Sequence, residues 1–115
     1  MNLFSKGFVV LHSGTTSLWK IECDALTKED WEGLALIAME KYSLAFSEVI
    51  GVPRGGLQLA KALEPYRSLG GTLIVDDVLT TGNSMNEYLI KYPNSSGLVA
   101  FARGIVPDNV KAIWS

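Results

Sequence analysis

The chain has 115 residues, 48% of them hydrophobic and only four of them proline, with a formal net charge of −2. That length holds one domain with a sizeable core, and the composition excludes a disordered chain. The charge excludes a broad electrostatic footprint for nucleic acid, and the single Cys23 excludes an intramolecular disulfide framework or a multi-cysteine zinc site. No apolar run reaches the length of a membrane span, and the opening MNLFSKGF lacks a signal-peptide core. A cytoplasmic protein with neither membrane nor nucleic-acid partners is therefore expected.

In chain order, residues 8–11 are apolar and β-prone, Ser13, Gly14, Thr15 and Thr16 suit a turn, and residues 17–23 alternate. Together they predict an N-terminal hairpin. Thr27 with Asp30 three residues on has the form of a helix cap. Behind it Trp31, Leu34, Ala35, Ala38 and Tyr42 recur at helical spacing, which predicts a helix of about 15 residues. Residues 46–52 predict a strand, broken by Pro53, Arg54, Gly55 and Gly56, and residues 57–63 a helix that ends before Pro65.

Gly70 and Gly71 lead into a strand at 72–75, followed by a helix over 84–92 stopped by Pro93. Residues 97–102 and 110–114 predict two further strands. From residue 27 onward the order is α-β-α-β-α-β, so the fold class is α/β, a parallel sheet flanked by helices with right-handed crossovers. The whole chain reads as a single domain, with 1–26 as hairpin and 27–115 as core.

In such a sheet ligands bind beyond the C-terminal strand edges. The loops at 52–56, 76–84 and 102–105 fall on that edge, and they carry the chain's least ordinary chemistry. In TLIVDDVLTTGNS, residues 72–84, a hydrophobic run ends in Asp76 and Asp77 and turns through Thr80, Thr81 and Gly82 into Asn83 and Ser84. Two ionised carboxylates accept hydrogen bonds from a vicinal diol and attract Mg²⁺. The small-residue turn offers consecutive N–H groups and a helix dipole to an anion. The plain alternative is a carboxylate-capped turn before an ordinary helix. A phosphoacceptor domain of the receiver type also carries an acidic pair, but after its first strand, whereas this pair comes late and runs straight into Thr-Thr-Gly.

The 72–84 segment resembles the signature with which type I phosphoribosyltransferases bind 5-phosphoribosyl-1-pyrophosphate (PRPP). The resemblance implies a phosphoribosyltransferase-like fold in which Asp76 and Asp77 hold the ribose hydroxyls and bind Mg²⁺, directly or indirectly. It implies that Thr80, Thr81, Gly82, Asn83 and Ser84 cradle the 5′-phosphate. GVPRGG, residues 51–56, resembles the family's pyrophosphate loop, with Val52, Pro53, Arg54, Gly55 and Gly56 on PRPP and Arg54 as the catalytic cation. LHSGTTSLWKI, residues 11–21, is similar to the base-covering hood of orotate phosphoribosyltransferases.

His12 stands there in place of a base-contacting lysine, and Lys20 and Ile21 in place of aromatic residues. Arg103, directly after GLVAFA, matches a base-contacting arginine. Trp114 suits a core or dimer interface better than a base stack. The resemblance covers roughly residues 8–105 and implies a magnesium-dependent, homodimeric transferase of a phosphoribosyl group to a pyrimidine or purine base. Only residues 57–71 separate the two loops, however, where the family inserts a strand pair with a long mobile lid. That omission leaves a second expectation open: a non-catalytic PRPP- or nucleotide-binding module with a regulatory or sensory role.

Overall fold

The computed structural model describes residues 25–79 and 82–114. The expected hairpin, with His12 and Lys20, lies outside the described residues, as do Thr80 and Thr81. The first element is helix α1, Lys28–Tyr42, 15 residues long. Its start is a reciprocal capping box: Asp30 N–H donates to Thr27 Oγ1 at 3.2 Å, and Thr27 N–H donates to Asp30 Oδ2 at 3.0 Å. Asp30 is buried in doing so. Glu29 and Asp30 in the first turn and Lys41 in the last complement the helix dipole.

Strand β1 (Phe46–Gly51) leads to helix α2 (Leu57–Leu63) and a 3₁₀ turn over Glu64–Tyr66 that contains Pro65. Strand β2 (Gly71–Leu79), helix α3 (Asn83–Lys91), strand β3 (Ser95–Ala102) and strand β4 (Val110–Trp114) complete the order. The four strands form one sheet in the order β1-β2-β3-β4, every neighbouring pair parallel. The α/β class expected from the sequence is therefore present, as a four-stranded parallel sheet flanked by helices. Among the described residues no helix is long and apolar enough to cross a membrane.

Alternation along the strands divides the core between the two faces of the sheet. Leu73, Val75, Leu98, Ala100 and Ile113 meet Trp31, Leu34, Ala35 and Ala38 of α1 and Leu59, Ala60 and Leu63 of α2. Ile74, Val99, Val110 and Ala112 face the other way, against Met85 of α3. Tyr42 Oη donates to the Ala112 carbonyl and Lys41 Nζ to the Ile113 carbonyl at 3.2 Å, which fastens the end of α1 to edge strand β4.

This division corrects the expectation of uniformly right-handed crossovers. The strands advance in one direction across the sheet, yet α2 covers one face and α3 the other. The β1-α2-β2 and β2-α3-β3 units therefore have opposite hands, and one of them departs from the usual right-handed rule. The β3-β4 connection, residues 103–109, crosses without a helix and packs Val106 on the α3 face.

Candidate functional site

The three loops expected at the C-terminal strand edge are tied to one another there. At the end of β1, Val52 is buried and its N–H donates to the Val75 carbonyl of β2 at 2.8 Å, so the ladder continues into the loop. Gly56 N–H then donates to the Val52 carbonyl at 2.8 Å and Leu57 N–H to the Arg54 carbonyl at 3.2 Å. These two bonds fold residues 52–56 into a tight turn that opens directly into α2, with the Pro53–Arg54 peptide cis. Pro53 and Arg54 are exposed at its tip, and Gly56 is buried at its base.

The acidic pair sits differently from the sequence expectation. The strand predicted over 72–75 runs on to Leu79, so Asp76 and Asp77 lie within β2 and not beyond its end. What the sequence pattern could not show is a slip in alternation. Val75 and Val78 both belong to the core on the α1 and α2 side, while Ile74 and Leu79 belong to the other. Strand β3 slips in step, with Ala100 and Phe101 on one side, and the register holds: Asp76 pairs with Val99 and Val78 with Phe101. The carboxylates occupy the offset. Asp76 Oδ1 accepts the Asp77 N–H at 2.8 Å, and Asp77 Oδ1 accepts the Val78 N–H at 2.7 Å.

Asp77 is only 3% exposed, and the wall against it is Gly55. A Cβ built on Gly55 would lie 2.3 Å from Asp77 Oδ2, 2.4 Å from Cγ and 2.6 Å from Oδ1. A side chain at this position would overlap the carboxylate. Glycine is thus required so that the backbone of the 52–56 turn can rest on Asp77. Asp76 remains half-buried beside it.

Gly82 caps α3 with φ of 81°, a left-handed conformation that suits glycine, and brings no side chain to the helix end. Asn83 and Ser84, the first two helical residues, are exposed. Beneath them Met85 is buried against Gly97 and Val110, which sets α3 on the sheet. From the third loop, Arg103 N–H donates to the Leu79 carbonyl at 3.3 Å, so exposed Arg103 follows the strand end that carries the acidic pair.

No protein-family model matches the chain, and no curated protein matches it in sequence. The chemistry at this edge rests on its own geometry. Val52, Pro53, Arg54, Gly55, Gly56, Asp76, Asp77, Gly82, Asn83, Ser84 and Arg103 fall on one edge of the sheet. Trp114 is half-buried and packs against the core on the α1 and α2 side.

Ile105, the last residue of the 102–105 loop, is 94% exposed two residues beyond Arg103, and an exposed apolar residue in a loop leaves no periodic signal. Among the described residues no three of His, Cys, Asp and Glu come together as a metal site. Adjacent hard carboxylate oxygens still suit Mg²⁺, which is commonly held by one or two carboxylates and completed by substrate phosphates and water.

Proposed function

We propose that this protein binds PRPP with Mg²⁺ and transfers its phosphoribosyl group to a nucleobase, an orotate-like pyrimidine or a purine, releasing pyrophosphate. One observation carries the reading: the glycine turn bearing Arg54 rests directly on the buried Asp77 carboxylate. The loop that would take the anion and the acidic pair that would take the diol thereby lie side by side at one strand edge.

In this reading half-buried Asp76 accepts hydrogen bonds from the ribose hydroxyls, and Asp77, buried under the turn, holds it in place through its own N–H. Arg54, exposed at the turn, grips the pyrophosphate, for which a guanidinium fork is well matched. The N–H groups at the start of α3, with Gly82, Asn83 and Ser84, take the 5′-phosphate together with Thr80 and Thr81, which precede them in the sequence. The base approaches from the side of Arg103. Its ring nitrogen attacks C1 of the sugar as the bond from C1 to the pyrophosphate oxygen breaks. The carboxylates stabilise positive charge on the ribosyl ring, and Arg54 stabilises negative charge on the leaving group. Mg²⁺, when bound, supplies further neutralisation of the pyrophosphate. A cytosolic setting and a homodimer, in which a second copy covers the site, belong to the same proposal.

A second reading has its own support. Between Gly56 and Gly71 the chain forms only α2, the 3₁₀ turn and a short link, and no long segment there can close over the edge. Closure excludes water from an activated sugar, so an uncovered site favours a module that binds PRPP or a nucleotide without turnover.

Two measurements separate the readings. Calorimetry with Mg-PRPP on the parent and on Asp76→Asn/Asp77→Asn tests binding, and equal affinities would refute both. Pyrophosphate release measured with orotate, uracil, hypoxanthine, guanine and adenine in turn tests transfer. Binding without base-dependent release would leave the non-catalytic module.

A further inference from the structure

We draw no further inference here: the strongest candidate, the outer edge of strand β1 with exposed Leu69 beside its first residue, lacks a partner strand among the described residues, and nothing in the structure shows what covers it.

Discussion

Gly55 and Asp77, 22 positions apart in the sequence, are in such close contact that a Cβ on Gly55 would lie 2.3 Å from a carboxylate oxygen of Asp77. The turn therefore rests on the acidic pair at Gly55, and a side chain added there must shift one or the other. Gly55→Ala is expected to displace the turn or force Asp77 off its Val78 contact. Overpacking of this kind costs about 1–3 kcal/mol, so urea unfolding should shift measurably. Mg-PRPP affinity should fall by more than the loss of stability explains, because the folded remainder has a distorted site. Unchanged affinity in a destabilised variant would separate the contact from ligand binding.

The bond from Val78 N–H to Asp77 Oδ1 at 2.7 Å gives a second test inside the strand. Asp77→Asn retains an oxygen acceptor there, whereas Asp77→Ala leaves a buried N–H without one. An unmet buried donor costs about 1–3 kcal/mol. The alanine variant should thus be the less stable of the two in chemical denaturation, while both lose PRPP affinity. If the two unfold alike, the carboxylate is not what satisfies Val78.

The fold class and the placement of the three loops could be read from residue patterns because each rests on local chemistry. Thr27 and Asp30 announce a capping box, Pro65 and Pro93 close elements, and apolar runs at helical or strand spacing mark what is buried. The run of β2 through Asp76 and Asp77 was hidden for a physical reason. Two adjacent carboxylates look like the end of a strand, and only the matched slip in β3 lets them remain within the ladder. The hand of the crossovers was hidden as well, because alternation shows that a strand has two faces without showing which helix covers which. Trp31 read as core, as it is.

The capping box tests how much α1 depends on its first turn. Thr27→Ala removes the acceptor for Asp30 N–H, recorded at 3.2 Å, and leaves buried Asp30 with one side of the reciprocal pair. Loss of such a cap costs about 0.5–2 kcal/mol. Since α1 covers the sheet with Trp31, Leu34, Ala35 and Ala38, the change should lower the whole cooperative transition and not merely fray the helix. A drop in far-ultraviolet helicity with an unmoved unfolding midpoint would contradict that coupling.

Arg54 separates binding from stability most cleanly. Its side chain is exposed at the tip of the turn, and the turn itself is held by backbone bonds from Gly56 to Val52 and from Leu57 to Arg54. Arg54→Ala should therefore leave the unfolding midpoint within about 0.5 kcal/mol of the parent. A charge-assisted bond to an anion is worth about 1.5–3 kcal/mol, so Mg-PRPP affinity should fall by roughly tenfold to a hundredfold. Arg54→Lys should recover part of it, because a lysine keeps the charge but not the fork. Pyrophosphate alone should show the same ranking of variants, and ribose 5-phosphate, which lacks the leaving group, should show none. If ribose 5-phosphate affinity falls just as far in Arg54→Ala, the arginine serves the sugar phosphate end of the site, and the turn is not where the leaving group is held.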